Sequence, residues 1–246
     1  MKVGLFIPCY VDQFYPQVGI ATLELLEKLG CTVEYPAGQT CCGQPMANSG
    51  CEPDAIAVYR HFIDLFGGYD YIVSPSGSCS YHVRKHYDTL EQTKAVQQVR
   101  KNTLDLCEFL VDILKIKALE SQFPHRVGLH QSCHGLRGLR LGTGTERALE
   151  QESKLNALLG MVKGIELVEL SRPDECCGFG GTFAVSESAL SVKMGKDRIA
   201  DHADKGVDVI TAGDMSCLMH LEGIIRRQAM KIKVKHIAEI LNGTQL

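Results

Sequence analysis

Two short stretches, Val3–Cys9 (VGLFIPC) and Val127–Cys133 (VGLHQSC), share one pattern although they lie half a chain apart. Each begins with Val-Gly-Leu and ends at a cysteine, which is typical of a buried strand leading into a functional loop. Further segments repeat in the same order: Cys41-Cys42-Gly43 with Cys176-Cys177-Gly178, and Tyr71–Cys79 (YIVSPSGSC) with Val209–Cys217 (VITAGDMSC). Several repeats in one order predict two homologous halves.

Within each half, short β-branched runs alternate with helical patterns. The runs predict strands at Val3–Ile7, Thr32–Tyr35, Tyr71–Ser74, Val127–Leu129, Ile165–Leu170 and Val207–Thr211. The helical patterns cover Ile20–Lys28, Asp54–Phe66, Ala148–Met161, Ser186–Lys205 and Ser216–Met230, with Ser186 as an expected N-cap.

This alternation predicts an α/β fold. We expect two homologous halves, each a mostly parallel sheet with flanking helices and right-handed crossovers, related by a pseudo-twofold axis. The halves join near the polar stretch Lys115–Arg126, so we expect a first domain over residues 1–120 and a second over residues 121–246.

The composition of the chain narrows the range of functions it can have. The chain has 246 residues and a net charge of −3, without the basic patch that nucleic-acid binding requires. No apolar run is long enough for a membrane span, and the apolar N-terminal run is too short for a signal peptide. We therefore expect a cytoplasmic protein, in which 11 cysteines are reduced and serve as ligands or catalysts rather than as disulfides.

The repeated cysteines all follow predicted strands, and in parallel sheets cofactors lie beyond the carboxyl ends of the strands. Each half thus supplies four thiols from three loops, and four thiolates suit an iron–sulfur cluster or zinc. Adjacent cysteines and the surrounding glycines favour a cluster, with zinc in one or both halves, or unliganded thiols, as alternatives. The predicted ligands are Cys9, Cys41, Cys42, Cys79, Cys133, Cys176, Cys177 and Cys217.

Other reactive side chains have simpler explanations. Cys31 and Cys107 fit apolar packing better than ligation, and Cys51 beside the first Cys-Cys-Gly segment is ambiguous. Arg137 and Arg140 are candidates for contact with a carboxylate. We interpret the histidines near these cysteines as surface groups or as neighbours of the ligands rather than as ligands. They are His82, His130, His134 and His220. His134 is also a candidate proton donor.

The doubled motif of a cysteine, a Cys-Cys-Gly segment and a downstream cysteine resembles the cysteine-rich CCG-domain family. That family includes the B subunit of heterodisulfide reductase and iron–sulfur subunits of glycolate and glycerol-3-phosphate oxidation. The segments that carry the resemblance are Cys41–Gly50, Ser76–Cys79 and Cys176–Phe183, which are most similar to the members that support lactate utilization.

The resemblance implies an iron–sulfur redox subunit of a complex that supports L-lactate oxidation to pyruvate. It implies one or two four-iron clusters and two partner subunits, one of them ferredoxin-like, with the small-molecule substrate held somewhere in the complex. The fullest family form has a fifth cysteine in each motif, and Ser76 and Asp214 stand at those positions here. We therefore expect four-thiolate centres. A metal-stabilised scaffold that docks a flavoprotein and a thiol–disulfide enzyme subunit are the alternatives.

Overall fold

The computed structural model describes residues 1–150 and 152–246, and its centre consists of short strands. Within these residues the strands are β1 (Lys2–Leu5), β2 (Thr32–Glu34), β3 (Tyr71–Ser74), β4 (Thr103–Asp105), β5 (Arg126–Leu129), β6 (Glu166–Leu167), β7 (Val209–Ala212) and β8 (Lys233–His236).

Helices cover the sheets and connect the strands. They are α1 (Cys9–Phe14), α2 (Pro16–Lys28), α3 (Gln44–Asn48), α4 (Glu52–Phe66), α5 (Gly77–His86), α6 (Lys94–Asn102), α7 (Leu106–Glu108), α8 (Lys154–Leu159), α9 (Phe183–Ser186), α10 (Ser188–Asp204), α11 (Met215–Arg227) and α12 (Ile237–Asn242). Among the described residues, no helix combines the length and the apolar character needed to cross a bilayer.

The two sheets have the same topology, which confirms the predicted α/β fold with two homologous halves. The first has the order β2-β1-β3-β4 and the second the order β6-β5-β7-β8, and all pairings are parallel. Val3 is paired with Val33 on one side and Tyr71 on the other, and Val127 is paired with Leu167 and Val209 in the same way.

The halves pack through reciprocal helix contacts. The last helix of the second half, α12, packs against α2 of the first half, and α7 of the first half packs against α8 of the second. One continuous apolar core therefore includes residues of both halves, such as Leu26, Leu110, Leu158 and Ile240. A second cluster, built on Phe6, Tyr59, Phe62, Phe66 and Tyr87, lies within the first half.

The structure corrects several predicted elements. The helix predicted over Ala148–Met161, which includes Gln151 outside the described residues, begins only at Lys154. The hydroxyl of Ser153 accepts a hydrogen bond from the Asn156 N–H and caps that helix. Ser186 is not an N-cap, because it ends α9 and Glu187 precedes α10.

Strand predictions failed where the strands are short or polar. The strand predicted over Ile165–Leu170 is only two residues long, Glu166–Leu167. Strands β4 and β8, at corresponding edges of the two sheets, were not predicted. The sequences of both contain polar residues, and β8 carries Lys233 and Lys235.

The packing of α12 can be tested with one buried and one exposed residue. Ile240 is fully buried, whereas Ile20 on α2 is 56% exposed. Ile240→Ala should lower the free energy of unfolding by about 2–5 kcal/mol because it leaves a cavity in the shared core. Ile20→Ala should change it by less than about 0.5 kcal/mol. Urea denaturation followed by circular dichroism measures both, and equal effects would contradict this packing.

Candidate metal centres

The first set of thiols comes from three segments that follow strands of the first sheet. Cys9 begins α1 directly beyond β1, Cys41 and Cys42 precede α3, and Cys79 lies in the first turn of α5. The Cys9 Sγ donates to Cys41 Sγ over 3.8 Å, and Cys42 makes side-chain contacts with Cys41 and Cys79. The four sulfur atoms therefore form a continuous group.

The second set repeats this arrangement. Cys133 follows β5, Cys176 and Cys177 lie in the loop before α9, and Cys217 lies in the first turn of α11. Cys176 is in contact with Cys133 and with Cys177, and Cys177 also contacts Cys217. The structure thus brings together all four predicted cysteines of each half.

The glycine after each cysteine pair orients the backbone toward sulfur. Gly43 and Gly178 both have a φ of +88°, a conformation that side chains with a Cβ rarely adopt. Their N–H groups donate to the sulfurs of Cys41 over 3.4 Å and of Cys176 over 3.3 Å. The Phe179 N–H donates to Cys177 Sγ over 3.5 Å. The repeated motif therefore supplies the sulfurs with backbone hydrogen-bond donors.

The close approach of the thiols shifts the pKa of the equivalent cysteines Cys41 and Cys176 in the same direction. The thiols of Cys42 and Cys9, with the Gly43 N–H, lower the pKa of Cys41 to about 3. Cys133, Cys177 and the Gly178 N–H lower the pKa of Cys176 to about 2. Each neighbour that donates to these sulfurs is held protonated.

Donation to Cys41 raises the pKa of Cys9 well above its usual range, and donation to Cys176 does the same for Cys133. In each group Cys41 or Cys176 thus ionises while the thiols that donate to it stay neutral. In the second half the Cys177 thiol also lowers the pKa of Cys217, to about 7. A bound metal cation displaces such protons, since thiolates are the form that ligates metal. The donor sets therefore fit a thiolate-bound metal centre in each half.

Both groups of sulfurs face one cleft of about 340 Å³, which is lined by all eight cysteines. Tyr10 beside Cys9 and Phe179 beside Cys177 meet edge to face across it, with ring centroids 5.9 Å apart. Ser76, Ser78 and Asp214 lie on the wall between the two groups. The two centres therefore share one solvent space.

Asp214 is a buried polar link between the halves. Its Oδ1 accepts hydrogen bonds from the hydroxyls of Ser76 over 2.8 Å and Ser78 over 2.9 Å, and from the Ser78 N–H over 3.0 Å. Its Oδ2 accepts a hydrogen bond from the Ser132 hydroxyl. Ser76 and Asp214 occupy equivalent positions in the two halves and form an antiparallel bridge. These two residues therefore meet each other where the two halves join.

The remaining cysteines lie apart from the cleft lining. Cys107 is 1% exposed within the core and Cys31 packs against that core, as predicted. Cys51 is exposed, and its Sγ lies 3.9 Å from the Ser49 carbonyl oxygen. Arg137 forms ion pairs with Glu146 and Asp174, so it does not line the cleft as a carboxylate-binding group.

The histidines differ in their surroundings. His134 lines the cleft, and His220 Nε2 donates to the Ser191 carbonyl oxygen over 3.3 Å. His82 is buried, its Nε2 lies 3.0 Å from the Tyr59 hydroxyl, and burial lowers its pKa to about 3. His130 is fully buried, and one of its ring nitrogens lies within 4.8 Å of the sulfurs of Cys177 and Cys217. Sequence reasoning placed His130, three residues before Cys133, among the surface groups or neighbours of the ligands, and did not predict its approach to Cys177 and Cys217.

Comparison with known proteins agrees with this site. The sequence model of the CCG cysteine-rich domain matches residues 3–84 and residues 127–222, one match in each half. The chain belongs to this family. Each matched CCG segment contains a complete set of four clustered cysteines.

Similar proteins span the whole chain. Lactate utilization protein A of Halalkalibacterium halodurans is 41% identical, and the alignment covers 98% of this chain and 97% of that protein. Lactate utilization protein A of Bacillus licheniformis is 40% identical over 99% of this CCG protein and 100% of its own length. A putative Asp/Glu racemase structure from Yersinia pestis aligns with a TM-score of 0.40 at 15% identity, over 98% of this chain and 96% of that one.

The role of Gly178 can be tested by adding a methyl group. A Cβ there would lie 2.6 Å from the Ser191 carbonyl oxygen, and its φ is positive. Gly178→Ala should destabilise the protein by about 1–3 kcal/mol and reduce its metal content, because the loop must move. Gly223→Ala on α11, where a Cβ would meet nothing within 4 Å, is the control. Chemical denaturation and metal analysis of both variants measure the effects, and normal metal content in Gly178→Ala would contradict this role.

Asp105 should make stability depend on pH. It is 1% exposed, and burial, followed by repulsion from Asp214, raises its pKa to about 8. Because an unfolded aspartate has a pKa of about 3.9, stability should fall as pH rises from about 4 to 8. In Asp105→Asn, which keeps an acceptor for the Cys107 N–H, this fall should be smaller.

Urea denaturation of metal-free protein between pH 5 and pH 8 measures that slope. The variant should gain stability over the wild type as pH rises, by an amount on the order of a few kcal/mol. Asp64→Asn changes an exposed carboxylate on α4 and serves as the control. Parallel curves for the wild type and Asp105→Asn would refute the expectation.

Proposed function

We propose that this protein is an iron–sulfur redox subunit of a complex that oxidises L-lactate to pyruvate. In this proposal the two CCG motifs hold the clusters, with Cys9, Cys41, Cys42 and Cys79 as ligands in one half and Cys133, Cys176, Cys177 and Cys217 in the other. The observation that carries it is the convergence of two equivalent four-thiol groups on one cleft. The 41% and 40% identical relatives are both named lactate utilization protein A.

The number of metal centres matches the number of electrons that lactate oxidation releases. Oxidation of lactate to pyruvate releases two electrons and two protons. When bound, an iron–sulfur cluster accepts and donates single electrons, so two clusters can hold the two electrons from lactate. Adjacent cysteines such as Cys41 and Cys42 suit a cluster with several irons better than one tetrahedral ion.

Backbone groups of the chain tune such centres. The N–H groups of Gly43, Gly178 and Phe179 donate to ligand sulfurs. Hydrogen bonds to the sulfurs stabilise the more negative, reduced state and so raise a reduction potential. These donors favour acceptance of electrons by both halves.

The substrate carbon chemistry belongs to a partner subunit in this proposal. The cleft wall carries the Asp214 carboxylate, which repels a carboxylate substrate, and Arg137 is engaged by Glu146 and Asp174. The sequence also lacks a recognisable flavin or nicotinamide motif, and removal of electrons from a hydroxy acid needs such an organic cofactor. In this proposal the chain accepts electrons and does not itself bind lactate.

Exposed apolar side chains follow the cysteine motifs and offer a docking surface for a partner. Phe14 ends α1, Met46 lies on α3, and Val185 lies on α9, with exposures of 65%, 39% and 83%. All three elements begin at or directly after a cysteine motif. A ferredoxin-like subunit docked here would bring its cluster close to the cleft, as electron transfer requires.

The free thiols of the chain also suit a reducing compartment such as the cytoplasm.

Single ligand substitutions test the redox proposal. Cys42→Ser or Cys177→Ser should each remove about half of the iron, because each removes one ligand of one centre. The folded core should persist, and lactate-dependent growth should be lost. Iron and sulfide analysis, electron paramagnetic resonance of anaerobically purified protein and a growth assay measure these effects.

Cys107→Ala is the matched control, since Cys107 is buried but lies outside the cleft lining. It should keep its iron and lose only on the order of 1 kcal/mol of stability. Full lactate oxidation by Cys42→Ser and Cys177→Ser, with partners present, would replace the redox proposal by a scaffold role. A colourless wild-type protein that contains zinc would have the same consequence.

A further inference from the structure

A position next to the cysteine groups carries an apolar side chain in one half and a potential metal donor in the other. Alignment of Val3–Cys9 with Val127–Cys133 matches Phe6 to His130. Phe6 packs edge to face against Phe62 and Phe66, with ring centroids 4.9 Å and 5.8 Å apart. The first half therefore uses this position for an apolar contact, whereas the second half has an imidazole there.

The imidazole of His130 is buried, with an exposure of 0%. Neither Nδ1 nor Nε2 has an oxygen or nitrogen hydrogen-bond partner among the described residues, and the polar group that the ring contacts is the Cys217 sulfur. A buried imidazole without an oxygen or nitrogen partner is rare in native proteins. The backbone N–H of His130 is satisfied by the Thr211 carbonyl oxygen over 2.7 Å, so the strand itself is regular. Apart from the Cys217 sulfur, the described part of the chain gives this ring no hydrogen-bond partner, and a group bound among the sulfurs would supply one.

The location of His130 indicates what that group is. One ring nitrogen and the sulfurs of Cys177 and Cys217 all lie within 4.8 Å of one another. Metal–nitrogen bonds of about 2.0–2.1 Å and metal–sulfur bonds of about 2.3 Å bring the donors of one centre to such separations. Imidazole and thiolate are both common donors to iron, zinc and other transition metals.

We propose that His130 is a metal ligand of the second half, so that its centre has an imidazole donor in addition to the thiolates of Cys133, Cys176, Cys177 and Cys217. The centre of the first half has thiolates alone, because Phe6 carries no donor. This assignment rests on the proposal that the cysteines hold metal. Donor type helps to set the reduction potential of a cluster, so the two centres have different potentials and fill with electrons in a fixed order.

Nitrogen hyperfine spectroscopy tests this ligand directly. Full-length protein labelled with ¹⁵N-histidine is purified anaerobically, reduced and examined by pulsed electron paramagnetic resonance. A coupling of the size found for directly coordinated histidine is expected in the wild type. It should disappear in His130→Phe, which installs the residue of the first half. Iron bound without this coupling, or a coupling that persists in His130→Phe, would overturn the assignment.

Two further variants separate ligation from folding. His130→Cys offers a thiolate in place of the imidazole, so it should keep its metal and lose the nitrogen coupling. His220→Gln changes another histidine of the same half, whose Nε2 lies 3.3 Å from the Ser191 carbonyl oxygen, and should keep the coupling. If His220→Gln abolishes the coupling instead, the ligand is His220 and the proposal is wrong.

The same experiment distinguishes failure of the redox proposal from failure of this one. A wild-type protein with zinc and no iron would disprove the redox function but still allow the ligand to be tested. Cobalt(II) then replaces zinc, and its absorption bands report the donor set. A band shift in His130→Phe but not in His220→Gln would support the imidazole ligand, and unchanged bands would refute it.

Discussion

Sulfur atoms in mutual contact cannot all carry negative charge unless a cation lies among them, and the two thiol groups of this protein are built around that constraint. In each half the sulfur of Cys41 or Cys176 accepts hydrogen bonds and ionises, while the thiols that donate to it stay protonated. The loops nevertheless hold these sulfurs together, with Gly43 and Gly178 in a conformation that turns an N–H toward them. The polypeptide thus pre-organises an anionic site whose neutralisation requires metal.

Parallel strand order explains how distant segments reach one cleft. In each sheet the strand that opens the half, β1 or β5, is central and pairs with β3 or β7, the strand that precedes the last clustered cysteine. The carboxyl ends of these strands lie at one edge, so Cys9 and Cys79 meet there, as do Cys133 and Cys217. The Asp214 hydrogen bonds to Ser76 and Ser78 then join the two edges, so that both thiol groups face the same cleft.

The sequence was most informative where a pattern is local and repeated. Strands such as β3 and the long helix α4 were predicted within two residues, because apolar periodicity and glycine stops define them. Strand β4 was missed because its polar residues are buried: Thr103 donates to the Val99 carbonyl oxygen, and Asp105 caps α7. The surroundings of His130 were equally hidden, since its approach to Cys177 and Cys217 joins segments far apart in the chain.

The reciprocal helix packing has a consequence for each half taken alone. Each half covers a helix of the other, α12 on α2 and α7 on α8, and the apolar core is continuous between them. A polypeptide with only one repeat would leave these apolar faces bare in water. Two identical copies related by a twofold axis would cover them, since the contact is self-complementary. Such a homodimer of one repeat would bury the same helix faces that the two halves of this chain bury against each other.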